Sequence, residues 1–246
     1  MKKGMKQNIE FFDTLDQGWE ETLANTYKDA NTTIIEIFDS NGERVVYRKQ
    51  HENDQELKGI VQIPEGTEIV KSFAFRNCKN ITEIIFPSTA KKLESYICDN
   101  CTSLQSVTLC EGIEEIDGYA FYNCVNLKTV QFPSTLSLIG FNAFTFSGLE
   151  GDLLIPSNIK RINGSFANCT GLNGTLTLEE GLQRILYNSF KDCPFTGVLR
   201  IPESVYAIEQ SAFNGCKFDV IYVKEDRVKI WDEHWNYGCD AEIKYY

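Results

Sequence analysis

The amino-acid sequence predicts a repeat solenoid, and three observations support that fold class. One slot recurs every 23 residues, at Pro64, Pro87, Cys110, Pro133, Pro156, Glu179 and Pro202. Apolar residues recur at fixed offsets from this slot, and a one-residue slip in one repeat is compensated within that repeat. A constant period of this length is typical of stacked units, none of which can bury its apolar face alone.

Each repeat is predicted to contain one strand that ends at the slot. Counting the slot residue as zero, apolar residues alternate at +20 and +22, as in Val107/Leu109 and Leu199/Ile201. This alternation has the two-residue period of a strand with one buried face. Proline in the next slot ends the strand because it has no N–H to donate to a ladder. A second apolar pair recurs at +3 and +6, as in Ile113/Ile116.

Phenylalanine also recurs, at position +11. The residues at this position are Phe75, Phe121, Phe144, Phe166, Phe190 and Phe213, with Cys98 in the second repeat. Phe166 comes one residue early, and an insertion at residues 171–174 restores the period by Glu179. Compensation of this kind indicates that the total length of a coil is constrained, as stacking would require.

Six of the nine cysteines occupy one repeat position: Cys78, Cys101, Cys124, Cys169, Cys193 and Cys216. Parallel strands stack about 4.8 Å apart, so we expect a column of thiols, interrupted at Ser147. Free buried thiols are the expected state, because cysteine acts as a small hydrophobe. Disulfides are an alternative at this spacing. Zinc at Cys98-x-x-Cys101 is another, although no second such pair follows.

Small polar residues next to these cysteines are predicted to cap backbone groups in the turns between coils. They are Asn77, Asn100, Asn123, Asn168 and Asp192.

Taken together, these motifs resemble leucine-rich repeats of the BspA-like, Treponema pallidum type. The resemblance rests on the L-x-x-I-x-F-P strand, the I-x-x-I spacing and the A-F-x-N-C turn, seen at residues 74–78 and 120–124 and, shortened, at 166–169. It covers about residues 59–223. It implies a curved right-handed solenoid with a parallel β-sheet on one face. It also implies a binding role, since relatives are often surface proteins with adhesive functions.

The terminal segments are predicted to cap the solenoid, which spans residues 59–223 in about seven repeats. Residues 1–58 are predicted to form a helix, from the spacing of Phe12, Leu15, Trp19, Leu23 and Tyr27, followed by a hairpin. The hairpin would join residues 32–38 to residues 44–48 through the Asn41-Gly42 turn. In residues 224–246, apolar cover for the last coil would come from Ile230, Trp231, Trp235, Tyr237 and Ile243.

Charge and hydropathy bear on the partners and on the compartment. The net charge of −11 disfavours nucleic acid, whose binding needs basic contacts to phosphate. No apolar run is long enough for a transmembrane helix, so membrane insertion is not expected. The N-terminus shows no secretory signal, which favours the cytoplasm for the chain as given. The family resemblance instead suggests a secreted or cell-surface protein if a leader was removed. We expect a monomer.

No catalytic residue, metal ligand or cofactor is predicted. The sequence has no G-x-S-x-G, P-loop, G-x-G-x-x-G or H-E-x-x-H motif. Its two histidines are His51, in a polar linker, and His234, near Asp232, Glu233, Cys239 and Asp240. The spacing around His234 matches no common ligand pattern.

The outward strand positions, +19 and +21, are predicted to form a binding strip on the sheet face. Its members are Glu83, Ile85, Ser106, Thr108, Thr129, Gln131, Asp152, Leu154, Thr175, Thr177, Val198, Arg200, Val220 and Tyr222. Solenoids use such extended faces to bind proteins. The expected function is therefore a non-catalytic module for protein–protein interaction or adhesion. An ordinary solvated sheet face, rich in threonine for its strand preference, is the alternative.

Two other functions stay open. The strip would bind carbohydrate or host matrix only with stacking aromatic residues, and no aromatic cluster marks it. Residues 1–58 could instead form a small functional domain, including an enzymatic one, carried on a repeat scaffold.

Overall fold

The computed structural model describes residues 6–8, 23–28, 32–37 and 58–246. They form a solenoid of about eight coils, built almost entirely from short parallel strands. In chain order the strands are β1 Lys6–Asn8, β2 Leu23–Lys28, β3 Thr32–Ile37, β4 Lys58–Gln62, β5 Ile69–Val70, β6 Asn80–Ile85, β7 Lys92–Leu93, β8 Ser106–Thr108, β9 Glu115–Ile116, β10 Leu138–Ile139, β11 Leu153–Ile155, β12 Arg161–Ile162, β13 Leu176–Leu178, β14 Arg184–Ile185, β15 Val198–Arg200, β16 Ala207–Ile208, β17 Val220–Val223 and β18 Glu242–Tyr245. One short helix, α1 Glu225–Val228, follows β17.

Most coils contribute two strands, so the solenoid has two rows of parallel strands where the sequence predicted one. The first row contains the strands that end at the slot, such as β6 and β8. The second row contains the two-residue strands at +5 and +6. These are β5, β7, β9 and β10 in one sheet and β12, β14 and β16 in another. Its register follows the repeat period, since Ile162 pairs with Ile185. The second row was missed because two residues are too short to show an alternation.

The predicted sheet face is not one continuous sheet. Its strands form three separate sheets, ordered β1-β2-β3-β4-β6-β8, β11-β13 and β15-β17-β18. The first break falls at residues 129–131, which form no strand. There the inward side chains Val130 and Phe132 are only partly buried, so this coil anchors its strand position less firmly than its neighbours do.

A column of stacked phenylalanine rings runs through the core at the recurrent phenylalanine position. Phe121, Phe144, Phe166, Phe190 and Phe213 are fully buried. Successive rings in this column lie 5.2 to 5.8 Å apart between centroids and within 15° of parallel. Each ring therefore covers the face of the next, and the coil spacing is fixed by ring contact as well as by backbone hydrogen bonds.

Each turn between the two strand rows contains two residues in the left-handed backbone conformation. The second of these is Asn77, Asn100, Asn123, Asn168 or Asp192 in five turns, and Phe146 or Gly215 in two others. Asparagine tolerates this conformation better than most residues. The conformational need of the turn therefore explains why asparagine recurs there.

The predicted capping role of these asparagines is wrong for the first three. The Asn100 side-chain amide donates to Asn77 Oδ1, and that of Asn123 donates to Asn100 Oδ1, each at 2.8 Å. The turn N–H groups bond instead to carbonyl groups of the next coil, as from Asn77 to Asp99. Because the next coil already satisfies those N–H groups, the amides are free to bond to one another.

The predicted N-terminal helix and hairpin need correction. Leu23–Lys28 is strand β2, so the helix is wrong at its carboxyl end. A spacing of four residues fits one face of a strand as well as one face of a helix, which explains the error. β3 pairs with β2 antiparallel and with β4 parallel, so its antiparallel partner is not the predicted segment 44–48. That segment and residues 12–19 lie outside the described residues.

Residues 224–246 form a further coil and not merely a cap. β18 pairs in parallel with β17, with Ile221 opposite Ile243. The Cys239 side chain is buried 23 residues after Cys216, so it continues the cysteine position by one repeat. Trp231 and Trp235 are buried as predicted, whereas Ile230 and Tyr237 are exposed.

Candidate binding surface

The predicted strip residues lie on the outer side of their strands. In β11 and β13 the middle residues, Leu154 and Thr177, are exposed between buried neighbours. In β15 the two ends, Val198 and Arg200, are exposed around buried Leu199. The half-buried members of the strip are Glu83, Ile85, Ser106, Val220 and Tyr222, and the others are exposed.

The strip is interrupted at its centre. Thr129 and Gln131 are exposed but belong to no strand, so the ladder does not fix their direction. The surface that the sequence predicted as one strip is therefore divided into an amino-terminal part on β6 and β8 and a carboxyl-terminal part on β11, β13, β15 and β17.

Asp152 and Thr175 use their polar groups on each other. Asp152 Oδ1 accepts the Thr175 backbone N–H at 2.6 Å and the Thr175 hydroxyl at 2.8 Å. These two hydrogen bonds hold the pKa of the Asp152 carboxyl below its usual value. Both residues therefore stabilise the stacking of β11 on β13.

The carboxyl-terminal part of the strip contains an arginine–tyrosine contact. Arg200 Cζ lies 4.3 Å from the ring centroid of Tyr222, its partner in the register of β15 with β17. Val198, two residues before Arg200 on β15, is 50% exposed, and Leu154 on β11 is 49% exposed. Tyrosine and arginine are the residue types enriched at the energetic centres of protein interfaces. The sequence did not reveal this contact, because the two residues are 22 positions apart.

A second surface, missed in the sequence, lies on the turns. Six aromatic side chains touch in series over four consecutive coils, and we call them the turn-face aromatic cluster: Phe73, Tyr96, Tyr119, Tyr122, Phe141 and Phe146. The signal available in the sequence was the aromatic residue at +9 in three successive repeats.

The cysteines are free and mostly buried, and their thiols bond to the backbone. Cys101 Sγ donates to the Phe75 carbonyl at 2.9 Å, and Cys193 Sγ donates to the Phe166 carbonyl at 2.9 Å. Burial raises the pKa of the Cys98 thiol well above its usual value. A buried thiol that stays protonated is a poor nucleophile and a poor metal ligand.

One family model matches this repeat pattern, the BspA-type leucine-rich repeat region. Six copies of the repeat are matched, over residues 46–173 and 151–240. The chain belongs to the BspA-type leucine-rich repeat family. The matched range reaches residue 240 and so includes most of the last coil. No curated protein matches the chain.

Three solved structures of bacterial proteins are similar to this chain in fold. A protein from Bacteroides ovatus is 17% identical, with a TM-score of 0.59, over 95% of this chain and 71% of its own. The T. pallidum leucine-rich repeat protein is 18% identical, with a TM-score of 0.54, over 95% of this chain and 100% of its own. The pneumococcal vaccine antigen PcpA is 16% identical, with a TM-score of 0.50, over 86% of this chain and 46% of its own. At these identities the likeness concerns the fold alone.

The other candidates from the sequence are not brought together. His234 is exposed, with Nδ1 3.8 Å from Asp232 Oδ1 and 3.7 Å from Glu233 Oε1, whereas Cys239 is buried. Within the described ranges of this BspA-type repeat protein, no group of three His, Cys, Asp or Glu residues could hold a metal ion. His51 lies outside the described residues. None of the described helices is long and apolar enough to span a membrane.

Proposed function

We propose that this chain is a non-catalytic interaction or adhesion module that binds a partner protein through its sheet face. The contact of Arg200 with Tyr222, with the exposed Val198 on the same strand as Arg200, carries the proposal. Family membership supports it, since leucine-rich repeat proteins generally act as interaction scaffolds. The carboxyl-terminal part of the strip is the centre of the proposed interface.

The chemistry of this part suits a protein partner. The exposed residues Leu154, Thr177 and Val198 give an apolar and weakly polar surface, and the Arg200 guanidinium lies over the Tyr222 ring. Interfaces concentrate binding energy in a few aromatic and arginine side chains that become dry on association. The amino-terminal part of the strip, with Ser106 and Thr108, would form the polar rim.

A capture experiment tests the proposal. Purified wild type is compared with Leu154→Glu/Thr177→Glu/Tyr222→Ala and with a control, Ser137→Glu/Gln183→Glu, which changes exposed residues next to the second strand row. Proteins captured from host or bacterial extract are identified by mass spectrometry. A partner held by wild type and by the control, but lost by the sheet-face variant, is the expected result. Equal capture by all three would contradict a sheet-face interface.

The amino-terminal part of the strip is tested separately. The variant Thr108→Glu/Thr129→Glu introduces two charges away from the Arg200 pair. A rim position affects affinity less than a central one, so we expect partial loss of capture. If this variant loses all capture and the Tyr222 variant loses none, the centre of the interface has been misplaced.

A further inference from the structure

The turn-face aromatic cluster is continuous and partly exposed. Tyr96 lies 4.7 Å from Tyr119 between ring centroids and 2° from parallel, and Phe73 stacks on Tyr96 at 5.2 Å. Phe141 and Phe146 end the cluster, turned 85° and 86° from their tyrosine neighbours. These two rings are 47% and 43% exposed. Contiguous apolar patches at a protein surface mark sites of interaction.

The backbone conformation at these residues indicates that the aromatic side chains have a role other than forming the turn. Phe73, Tyr96, Tyr119 and Phe146 have φ values of 66°, 61°, 58° and 59°. Bulky residues rarely adopt this left-handed conformation. Among the residues that the structure describes, these four are the only aromatic ones that do so, and all four belong to the cluster.

Other coils show what the same turn positions need for folding alone. Where the cluster has Phe73, Tyr96 and Tyr119, later coils have Asn142, Asn188 and Ser211. Where it has Phe146, other coils have the asparagines and Asp192. The turn is therefore formed without aromatic residues, and strained residues of this kind gather at ligand sites.

The charge around the cluster favours a neutral ligand. The four turn segments, residues 71–79, 94–102, 117–125 and 140–148, carry three basic and three acidic residues in a chain of net charge −11. Most of these charges are paired: Arg76 with Asp99 at 2.7 Å, Lys71 with Glu94 at 3.2 Å, and Asp117 with Lys92 at 3.2 Å. A neutral ligand would leave these pairs undisturbed.

The size of the cluster favours a short linear ligand. From Phe73 to Phe141 there are three centroid steps of 5.2, 4.7 and 5.5 Å. A row of about 15 Å is too small to be the whole interface with a globular protein, which covers about 800 Å² on each partner.

The available hydrogen-bonding groups distinguish between linear ligands. Extended peptides are commonly held by backbone hydrogen bonds. Here the N–H groups of Phe73, Tyr96 and Tyr119 already bond to the next coil. The groups that remain for a ligand are on side chains. The hydroxyls of Tyr96, Tyr119 and Tyr122 make no hydrogen bond within the described part of the chain. A row of side-chain amides adds further groups, at Asn77, Asn100 and Asn123.

We propose that the turn-face aromatic cluster binds a neutral carbohydrate chain. The C–H surfaces of the sugar rings would pack on the exposed parts of Phe141, Phe146 and the tyrosines, and its hydroxyls would bond to the phenol and amide groups. This site lies on the turns, apart from the strip, and does not depend on the sheet-face interface. It supplies the aromatic residues that the strip lacks for sugar binding.

The test uses the full chain and a variant designed to keep the fold. Tyr96→Asn/Tyr119→Asn/Phe146→Asn places at each turn position the residue type that other coils have there. Wild type and variant are applied to an array of neutral and acidic glycans, and the best neutral oligosaccharide is then titrated calorimetrically. We expect wild type to bind neutral glycans, and the variant to bind at least about tenfold more weakly.

Controls separate this site from the sheet face and from misfolding. Tyr187→Asn changes an exposed tyrosine outside the cluster, and it should bind glycan like wild type, as should the sheet-face variant. Thermal unfolding of the triple variant should match or exceed that of wild type. Absence of neutral-glycan binding by wild type, or equal binding by the triple variant, overturns the proposal. Binding of a proline-rich peptide alone, lost in the triple variant, would assign the cluster to peptides and overturn the carbohydrate assignment.

Discussion

The rings of Phe144 and Phe166 lie 3° from parallel at a centroid distance of 5.6 Å, although only 22 residues separate them. Phe190 then follows Phe166 by 24 residues and stacks on it at 5.8 Å. Gly164, with φ of 64°, occupies the left-handed position in the shortened turn. The ring column is therefore preserved by adjusting the turn. Ring contact is kept even where the number of residues between successive phenylalanines changes.

Phe166→Ala is expected to destabilise the protein by about 3 to 5 kcal/mol, the usual cost of removing a fully buried phenylalanine. The loss would be high in this range because the ring contacts both Phe144 and Phe190. Urea denaturation followed by circular dichroism measures it. Tyr187→Ala, at an exposed position, should change stability by no more than about 0.5 kcal/mol. Similar small losses for both variants would argue against the column as a main source of stability.

Gly140→Ala is expected to cost more than about 3 kcal/mol, because the coils approach too closely for a methyl group. A Cβ at this position would lie 2.4 Å from the Asp117 carbonyl carbon and 2.4 Å from the Gly118 nitrogen. Gly151→Ala is the matched variant, since no atom lies within 4 Å of its added Cβ and only its φ of 76° is unfavourable. That variant should lose about 1 to 2 kcal/mol. A reversed order in thermal denaturation would contradict this packing.

Stability is expected to fall at alkaline pH because of the buried thiols. Burial raises the pKa of Cys98 and of Cys124 well above the usual value. Below the unfolded-state pKa of about 8.5 both states keep the proton, so this stability is fully present there. Above it the unfolded chain releases protons that the folded chain retains. The free energy of unfolding then falls by up to about 1.4 kcal/mol per pH unit for each thiol.

The measurement is urea denaturation between pH 7.5 and 10 under reducing conditions, for wild type and for Cys98→Ala/Cys124→Ala. Lysines and tyrosines titrate in both proteins, so the difference in slope isolates the two thiols. The variant should be less stable at pH 7.5 but should lose less stability as the pH rises. Parallel pH profiles would show that these thiols ionise as easily in the folded protein as in the unfolded chain.

Substitutions at Asn100 should separate its two roles. Asn100→Gly removes both side-chain amide bonds but tolerates the φ of 62°. Asn100→Ala removes the same bonds and adds a left-handed alanine, at a further cost of about 1 kcal/mol. We therefore expect stability to fall in the order wild type, glycine, alanine, measured as thermal midpoints. Equal midpoints for the two variants would show that backbone conformation does not select asparagine in this turn.

A fragment of residues 1–57 is expected not to fold alone. Strand β3 pairs with β4 in the same sheet as the first coils, so in the fragment β3 becomes an edge strand that has lost its parallel partner. Edge strands without a packed face are marginal in water. Amide hydrogen exchange of the fragment should show no protection at residues 32–37. Cooperative unfolding of the fragment would instead indicate an independent N-terminal domain.

Much of the fold could be predicted because each coil repeats the same constraints. The buried strand positions and the recurrent phenylalanine position follow from spacing, and the family was suggested by the resemblance of the strand and turn motifs to its repeats. The second strand row could not be predicted, because two-residue strands such as β9 have no visible period. Leu23 was assigned to a helix because a four-residue spacing fits both structures. Cys239 shows a signal that was present and overlooked, since it lies 23 residues after Cys216.

For the two candidate surfaces, too, some features could be predicted from the sequence and others could not. The outward direction of Leu154 or Thr177 follows from strand alternation. The contacts of Arg200 with Tyr222 and of Tyr96 with Tyr119 join residues 22 and 23 positions apart. Only the stacking of coils brings such residues to within about 5 Å, the usual strand spacing.

The sequence by itself determined the solenoid, its period, its buried positions and its family, because a coil can bury its apolar residues only by stacking on similar coils. The tertiary structure decided where the sheet breaks, how many coils stack and which exposed side chains meet. It also placed aromatic residues such as Tyr96 in left-handed turns. Those properties depend on ring orientation, backbone conformation and contact between coils, which a residue spacing does not record.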